Sequence, residues 1–397
     1  MSDNTNQPTP SPDWDPWGPA EKAEPFAAQA DLRGRCPIAY SDRMNGFWSI
    51  TKYDDVAKAA TDSDHFKNGL RPKYTIPSPP LESDPPEHTY FRKLLMPFFT
   101  PARMKVMDTQ IRAFTVELLE PLIDTGGGDF AQDFAFLLPV RAFCFLLNLP
   151  DQDWPLIKDW SRDAYSVYAS MPELRERYEI ANNAIYSYAR QVLAERRAAP
   201  RNPDDDLISA LVSARHQDTP LSDDTIIGII RLLLTAGHES TASSIGNCIL
   251  YLARNPAAQA ELRANPKQIL PAAEEILRWE SPIMAMPRVV ASPVELGGHQ
   301  FSAGDYVYLL FASANRDEAR FPNADQCLFD RRPNPHMVFG WGKHNCIGAP
   351  LARVEIASAL EELLARTEHF ALAGEVERTI FHRRGVLNLP LTVTPAS

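Results

Sequence analysis

The sequence contains no Cys-x-x-Cys pair, and its five cysteines stand far apart along the chain. Structural zinc sites and disulfide frameworks depend on closely or regularly spaced cysteines, so this pattern argues against both. The dipeptide His238-Glu239 lacks a second histidine four residues after the first, which removes the helical zinc motif of metalloproteases. An odd number of cysteines without a secretory signal is typical of a reducing compartment.

Long apolar runs and targeting signals are missing as well. The longest apolar stretches, residues 143–149 and 226–234, are too short or too interrupted to span a bilayer. The N-terminal residues lack the basic and apolar regions of a signal peptide. Asp and Glu number 51 against 40 Lys and Arg, a net charge of −11 that argues against nucleic acid or an anionic membrane as the main partner. We therefore expect a cytoplasmic protein with no nucleic-acid partner and no membrane partner.

Helical periodicity dominates the rest of the chain, so the predicted fold class is mainly α with small β-sheets. Residues 1–19 are rich in proline and polar side chains, and we expect a disordered or extended segment there. Residues 20–397 are expected to form a single domain. A proline-rich stretch at 66–87 predicts a long functional loop. The predicted helices span residues 53–63, 89–99, 101–124, 137–147, 153–170, 172–197, 204–215 and 270–279, and the predicted strands span 47–51, 295–300 and 306–310.

One apolar pattern at helical spacing runs from an N-cap at Ser222 to about Arg254. At ~1.5 Å for each of roughly 30 residues, it predicts a rod of ~45–50 Å that crosses the whole domain. Polar residues interrupt the apolar pattern near the middle of this helix. Burying them costs stability, so a structural or functional role is expected. Two interpretations remain open: a kink in which a hydroxyl bonds back to a carbonyl, or a proton relay from an acid through an alcohol. The interruption includes Ala236, Gly237, Glu239, Ser240 and Thr241.

A second segment places one cysteine among three glycines, directly before another amphipathic helix predicted to begin at about Ile347. The backbone N–H groups and the positive dipole end of that helix would stabilise a thiolate, and the glycines would let a flat ligand approach the sulfur. The glycine spacing does not fit a dinucleotide-binding fingerprint. A single axial thiolate for haem fits better. The segment contains Phe339, Gly340, Gly342, His344, Cys346 and Gly348.

Two further motifs are short. Glu275 and Arg278 lie three apart and share a helix face, which on its own is typical of a solvated ion pair. The motif His88-Thr89-x-x-Arg92 follows the proline-rich loop. Taken together, the four motifs resemble the cytochrome P450 superfamily, specifically its soluble bacterial members. The resemblance covers roughly residues 20–395.

This resemblance implies a cytochrome P450-like fold, with haem between the long central helix and the Cys346 loop. Cys346 matches the axial ligand of the haem iron, and no Cys-x-x-Cys-His motif is present for covalent attachment. The expected cofactor is therefore heme b, iron protoporphyrin IX, whose propionates need cationic or hydrogen-bonding partners. The residues expected to bind it are His88, Arg92, Ala236, Gly237, Arg288, Phe339, Gly340, His344, Cys346 and Gly348, of which His88, Arg92, Arg288 and His344 match the propionate partners.

The resemblance also assigns roles to the polar interruption and to the ion pair. Glu239 matches the acid of a relay that delivers protons so that the O–O bond breaks, while the thiolate pushes electron density from the other face. Ser240 matches the alcohol, where threonine is usual, and it lacks the methyl group that restricts the rotamers of threonine. We expect Ser240 to be competent but less rigidly aimed. The expected catalytic residues are Glu239, Ser240 and Thr241; Glu275 and Arg278, with Arg332 in preference to Arg331, match a structural ion cluster.

The implied activity is that of a haem-thiolate monooxygenase, which inserts one oxygen atom from O2 into a small to medium hydrophobic substrate. A terpenoid or aromatic compound is expected, hydroxylated or demethylated. Because the chain contains no flavin, nicotinamide or iron–sulfur segment, the electrons are expected from a ferredoxin and a ferredoxin reductase. The basic residues expected near the thiolate side, where an acidic ferredoxin could bind, are Lys93, Arg103, Lys105, Lys343 and Arg353.

Three alternatives remain open at the level of sequence. Arg71, Lys73 and Tyr74 in the long loop could anchor a carboxylate, as in an aryl-acid monooxygenase. A haem-binding sensor would need no acid-alcohol pair. Peroxide-driven relatives typically replace that pair with Arg-Pro, whereas this chain keeps Glu239-Ser240 at the position. The walls of the substrate site are expected to be mostly apolar or aromatic and to come from residues 66–83, 165–178, 233–236, 283–286 and 386–387.

Overall fold

A computed structural model describes residues 10–69, 76–164 and 172–396, with the side chains of residues 172 and 173 excepted. Over these residues the predicted fold class, mainly α with small β-sheets, is confirmed. The α-helices are α1 Pro19–Ala23, α2 Pro25–Arg35, α3 Tyr53–Thr61, α4 Glu87–Leu95, α5 Pro101–Asp124, α6 Leu137–Leu146, α7 Trp154–Asp163, α8 Pro172–Ala198, α9 Leu207–Ser213, α10 Asp223–Ala236, α11 His238–Arg254, α12 Pro256–Ala264, α13 Ile269–Glu280, α14 Phe311–Ala314 and α15 Ala349–Arg366.

The strands are short and form small sheets at the edges of the helical body. They are β1 Ile38–Ser41, β2 Phe47–Ile50, β3 Phe66–Asn68, β4 Gly127–Asp129, β5 Arg215–His216, β6 Thr219–Pro220, β7 Met286–Val290, β8 Val294–Leu296, β9 His299–Phe301, β10 Tyr306–Leu309, β11 Thr367–Leu372 and β12 Pro390–Pro395. One sheet has the order β1-β2-β10-β7-β3, and a second has the order β11-β12-β4. In the first sheet Asn68 of β3 is directly opposite Arg288 of β7.

Local sequence explains where the main helices begin and end. The Ser222 side chain accepts a hydrogen bond from the Thr225 backbone N–H at 3.2 Å, as an N-cap residue does. Ser281 adopts a left-handed conformation, with φ of 47°, and ends α13 directly before a proline. The predicted helix 101–124 coincides with α5, which has proline in its first turn.

Two sequence predictions about these elements were wrong. The rod expected from Ser222 to Arg254 is divided into α10 and α11 at Gly237. Residues 295–300, predicted as one strand, are instead parts of β8 and β9 joined by a turn at Gly297 and Gly298, both of which have positive φ. Two adjacent glycines in the left-handed region permit the tight hairpin turn, which the prediction missed.

The largest hydrophobic core lies where the long helices meet. Helix α15 packs against α5, and α11 packs against α6, α13 and α15. Among the described residues, no helix combines the length and the apolar character that crossing a membrane requires.

The N-terminal segment from residue 10 to residue 18 has no helix or strand, and α1 begins directly after it. The rings of Trp14 and Trp17 contact the Phe381 ring edge-on, with centroids 5.7 and 5.5 Å away. Trp17 Nε1 also donates to the Phe381 carbonyl at 3.1 Å. These contacts hold the segment against the loop that precedes β12.

Candidate active site

A cavity of about 320 Å³ lies between the break in the central helix and the cysteine loop. The helix junction of α10 and α11 forms one face, and the segment before α15 forms the other. All of the residues that the sequence predicted for the site line this one cavity: His88, Arg92, Ala236, Gly237, Glu239, Ser240, Thr241, Arg288, Phe339, Gly340, His344, Cys346 and Gly348.

The cysteine loop is fixed by its own backbone. The Cys346 N–H donates to the Phe339 carbonyl at 2.7 Å, and Gly340 and Gly342 adopt φ of 77° and 69°. Non-glycine residues rarely adopt this conformation, so the two glycines permit the turn that presents the sulfur to the cavity. Helix α15 begins at Ala349, two residues later than predicted.

The sulfur lies where a thiolate can be stabilised. Burial raises the pKa of the Cys346 thiol, whereas hydrogen bonds from the Gly348 and Ala349 backbone and the charges of Arg92 and Arg353 act in the opposite direction. The Cys346 side chain is nevertheless accessible, because it opens onto the cavity. A lone accessible thiol with two backbone N–H groups aimed at it is suited to act as an axial metal ligand.

Cationic and hydrogen-bonding side chains gather at one end of the cavity. The rings of His88 and His344 lie 4.0 Å apart between centroids, and Asn68 Nδ2 lies 2.6 Å from His344 Nε2. Burial lowers the pKa of His344 to about 3 and the pKa of Arg288 to about 10. Sequence analysis missed Asn68, because only its position opposite Arg288 in the sheet brings it to this end.

The same end has positive charge without a matching anion. Among the described residues, neither ring nitrogen of His88 has a hydrogen-bond partner, and no carboxylate lies within ion-pair distance of Arg92 or Arg288. Arg288 is only 4% exposed, and its one guanidinium hydrogen bond goes to the Pro287 carbonyl. Buried cations are normally paired, so this end fits a ligand with carboxylate groups, as the haem propionates are. The residues present therefore fit haem.

The opposite face is the helix break. A Cβ atom at position 237 would lie 2.0 Å from Cε2 of Phe143, so the ring of α6 requires glycine there. The space beside Gly237 on that side is thus filled by Phe143. The cavity meets the helix at Gly237 and at Ala236, which is exposed.

Hydroxyl groups bond to the carbonyls around this break. Ser240 Oγ donates to the Ala236 carbonyl at 3.1 Å, which is the kink with back-bonding that the sequence left open. Ser161 Oγ, from α7, donates to the Leu234 carbonyl at 3.0 Å and lies 2.8 Å from His238 Nδ1. Burial lowers the pKa of His238 to about 3, so the ring is neutral and its Nδ1–H donates to Ser161. Nothing in the local sequence of α7 marked Ser161 for this contact.

An arginine of the C-terminal loop completes the face that the helix break forms. Arg383 Nε lies 4.0 Å from Glu239 Oε2, and both side chains line the cavity. The expected wall at residues 386–387 is wrong among the described residues: Val386 packs against Gly246 and Leu387 is exposed. The loop enters the cavity three residues earlier than expected, with a charged side chain.

The ion cluster behind the cysteine face corrects one assignment. Glu275 accepts from Arg278 twice at 2.8 Å and from Arg331 Nε at 2.9 Å, and all three side chains are buried. Arg332, which the sequence favoured, donates only to the Arg331 carbonyl. The third member of the cluster is therefore Arg331.

The chain matches the cytochrome P450 family over residues 161–394. It is 34% identical over 385 residues to cytochrome P450 109 of Bacillus spizizenii, covering 93% of this chain and 92% of that protein. It is 38% identical over 333 residues to mycinamicin IV hydroxylase/epoxidase of Micromonospora griseorubida, covering 80% and 81%. The solved structure of cytochrome P450 CYP109Q5 from Chondromyces apiculatus matches with a TM-score of 0.87 at 31% identity, covering 97% of this chain and 99% of that one. With the fold and the cavity as described, these matches mean that the chain belongs to the cytochrome P450 family and is a monooxygenase.

Proposed function

We propose that this monooxygenase inserts one oxygen atom from O2 into a small to medium hydrophobic substrate, using heme b and electrons from a ferredoxin and its reductase. The observation that carries the proposal is one cavity with a lone cysteine on one face and an acid beside an alcohol on the other. When bound, the haem supplies the oxygen-activating chemistry. The protein contributes the ligand, the charges that hold the cofactor and the protons.

The cofactor would be held at two places. Cys346 would supply the sulfur that binds the iron, with Phe339, Gly340 and Gly348 forming the loop around it. His88, Arg92, Arg288 and His344, at the cationic end, would bind the propionates through charge-assisted hydrogen bonds. Ala236 and Gly237 would face the cofactor from the opposite side.

Proton delivery would use Glu239 and Ser240 on the face formed by the helix break, which we call the oxygen side. Glu239 is partly exposed, so its carboxylate can exchange protons with water, while Ser240 Oγ is held at the Ala236 carbonyl. An alcohol can accept one proton and pass on another, so the pair would move protons inward from Glu239 to Ser240. Thr241, the next residue, also lines the cavity and adds a second hydroxyl.

The substrate would bind mainly through apolar contacts. The apolar side chains that line the cavity include Leu81, Leu232, Leu233, Ile283, Met286 and Phe311. Leu81, Leu233, Ile283 and Met286 belong to the walls expected from the sequence, whereas Leu232 and Phe311 lie outside them. Such a lining favours a terpenoid or aromatic body, hydroxylated or demethylated.

A second candidate, an anionic substrate, is favoured by a specific observation. Arg231, which is 1% exposed, and Arg383 line the same cavity as the apolar residues. A guanidinium in an enclosed site recognises a carboxylate well. Arg71, Lys73 and Tyr74, which the sequence suggested as a carboxylate anchor, lie outside the described residues.

Electron transfer would occur on the cysteine side. Of the five basic residues considered for a ferredoxin contact, Arg103 is paired with Asp205 at 2.9 Å and Arg353 with Glu274 at 2.8 Å. The remaining three, Lys93, Lys105 and Lys343, are exposed. We therefore expect Lys343→Glu to slow reduction by an acidic ferredoxin, with an effect that shrinks at high salt.

The test is a binding and turnover experiment on the holoenzyme. Limonene, 4-ethylbenzamide and 4-ethylbenzoate are titrated while the haem absorption is followed, and each ligand is then incubated with NADH, a surrogate ferredoxin and its reductase. Products heavier by one oxygen atom support the monooxygenase proposal. Turnover with peroxide alone but not with ferredoxin would contradict it. Tighter binding of the benzoate than of the amide, lost in Arg231→Met, would establish the anionic candidate over the neutral one.

A further inference from the structure

Arg383 is the one residue of the C-terminal loop at residues 381–385 whose charge faces the acid of the relay. Its Nε atom lies 4.0 Å from Glu239 Oε2, across the cavity wall from the central helix. We propose that Arg383 is a positioning residue, which holds the Glu239 carboxylate in the place from which it serves Ser240. The proposal rests on the relay described above and assigns Arg383 the role of restraining the acid of that relay.

The backbone that carries Arg383 is itself fixed. The Met284 N–H donates to the His382 carbonyl at 3.0 Å, and the Arg384 N–H donates to the Pro282 carbonyl at 3.0 Å. Arg383 also forms an isolated antiparallel bridge with Ile283. The guanidinium therefore projects from a rigid strand-like segment and provides a stationary partner for a carboxylate on the facing helix.

Burial gives this pair more weight than an ordinary surface ion pair has. The side chains of Arg383 and Glu239 are 19% and 26% exposed, so water and salt screen them only in part. An unrestrained glutamate side chain samples several rotamers, and an ion pair with Arg383 limits the positions that the Glu239 carboxylate can take. Because proton delivery depends on position, a carboxylate restrained by Arg383 should deliver protons more consistently than an unrestrained one.

The next residue provides a matched control. Arg384 belongs to the same loop and also pairs with a glutamate, with its Nε atom 2.9 Å from Glu280 Oε2. Glu280, the last residue of α13, is 3% exposed and does not line the cavity. Arg384→Gln therefore removes a comparable ion pair from the same loop without touching the relay.

The experiment compares Arg383→Gln, Arg383→Lys, Glu239→Gln, the double variant and Arg384→Gln as holoenzymes. Each variant is incubated with NADH, a surrogate ferredoxin and its reductase in the absence of substrate. The amounts of NADH consumed and of peroxide released are measured, and together they give the ratio of water to peroxide formed from O2. Loss of proton delivery lowers this ratio, and we expect about a tenfold decrease for Glu239→Gln. Arg383→Gln should lower it in the same direction, and Arg383→Lys should restore it.

The double variant separates positioning from a general defect. If Arg383 acts only through Glu239, the double variant has the same ratio as Glu239→Gln alone. Arg384→Gln should lower thermal stability while leaving the ratio unchanged. Three results would each overturn the proposal. They are a double variant whose ratio falls by the product of the two single decreases, an unchanged ratio in Arg383→Gln, and a ratio in Arg383→Lys as low as in Arg383→Gln.

A second readout does not depend on turnover. The unfolding midpoints of the two single variants and the double variant form a cycle, and a real pair gives a double variant less destabilised than the sum of the single changes. Additive midpoints would contradict the ion pair itself. If Glu239→Gln leaves the ratio unchanged, the relay in the proposed function is wrong; if only Arg383→Gln leaves it unchanged, the relay stands and Arg383 has no part in it.

Discussion

The two faces of the cavity are built from different kinds of interaction. On the cysteine side, neighbours in sequence make the decisive contacts: Cys346 bonds to Phe339, and Glu275 bonds to Arg278 three residues on. On the oxygen side, the broken helix depends on groups from distant segments, Ser161 of α7 and Arg383 of the C-terminal loop. Short segments therefore encode most of the motif on the cysteine side, which Arg331 joins from 56 residues away, whereas the contacts of Ser161 and Arg383 on the oxygen side exist only once the chain has folded.

This difference predicts different failures. A substitution on the cysteine side removes the ligand or the fold, because Cys346 provides the sulfur and the Glu275–Arg278 pair is buried. A substitution of Glu239, Ser240 or Arg383 on the oxygen side leaves the fold and changes how protons arrive, since these side chains are partly exposed. The four variants below test this contrast.

The largest effect is expected for Cys346→Ser. Serine cannot supply the thiolate sulfur, so we expect loss of monooxygenase turnover and a ferrous–CO spectrum without the thiolate-type Soret shift. Cys36→Ser is the control, because this half-buried thiol does not line the cavity and donates to the Ile38 carbonyl. A thiolate-type spectrum in Cys346→Ser would refute the ligand assignment.

Arg278→Met should produce the next largest effect, on stability. The Arg278 side chain is fully buried and bonds both Glu275 oxygens and three backbone carbonyls. Its removal leaves the Glu275 charge and those carbonyls short of a partner, which costs about 3–5 kcal/mol of unfolding free energy. Denaturant unfolding measures this loss. Arg175→Met, at an exposed helical pair with Glu179, should change little; equal losses in both variants would remove the contrast.

The sequence predicted the cysteine side in more detail than the oxygen side, for the same physical reason. Short motifs with defined spacing identified Cys346 and the Glu275–Arg278 pair. The choice of Arg332 over Arg331 failed, because adjacent residues in an irregular segment can point either way and only the folded backbone decides. Helical periodicity predicted one continuous central helix and left a kink open, but it did not predict that Gly237 divides the helix, since the ring that demands this glycine belongs to another helix.

Contacts between distant segments left no such pattern. Ser161 and Arg383 follow from the packing of α7 and of the C-terminal loop against the central helix, and neither belongs to a motif. The expected apolar wall at 386–387 failed similarly, because the register of the loop decides which side chain enters the cavity. Sequence pattern thus predicted the fold class and thirteen residues that lie together along one cavity, but not Ser161 and Arg383, which contact the helix break and the acid.

Ser240→Ala should have a smaller effect, confined to chemistry. The Ser240 hydroxyl bonds the Ala236 carbonyl and lines the cavity, so its removal breaks the relay without exposing a core. We expect product per NADH to fall about tenfold and peroxide to rise, with the unfolding midpoint nearly unchanged. Ser240→Thr is the comparison variant. If the serine hydroxyl is less rigidly aimed than that of threonine, the threonine variant should form more product per NADH than the natural chain. Unchanged yield and peroxide in Ser240→Ala would exclude Ser240 from the relay.

The last prediction depends on pH and concerns Glu21 of α1. Burial raises the pKa of Glu21 to about 8, against a hydrogen bond from Gln29 Nε2 and the charge of Arg384 in the cavity loop. A raised folded-state pKa contributes stability that is complete below the unfolded value near 4.5 and is lost as pH rises through about 8.

Glu21→Gln keeps the shape and removes the titration, so the variant should be the more stable protein at pH 8 and lose its advantage toward pH 4.5. The natural chain should lose up to about 1.4 kcal/mol per pH unit in this window, and the variant less. Thermal unfolding between pH 5 and 8 measures the slopes, with the exposed Glu24→Gln as control. Parallel slopes would mean that Glu21 is ionised in the folded protein, so that the N-terminal helix supports the Arg384 side of the loop through an ion pair. A flatter slope in the variant would mean that the support behind the oxygen side is a neutral hydrogen bond, in contrast to the ionised cluster behind the cysteine.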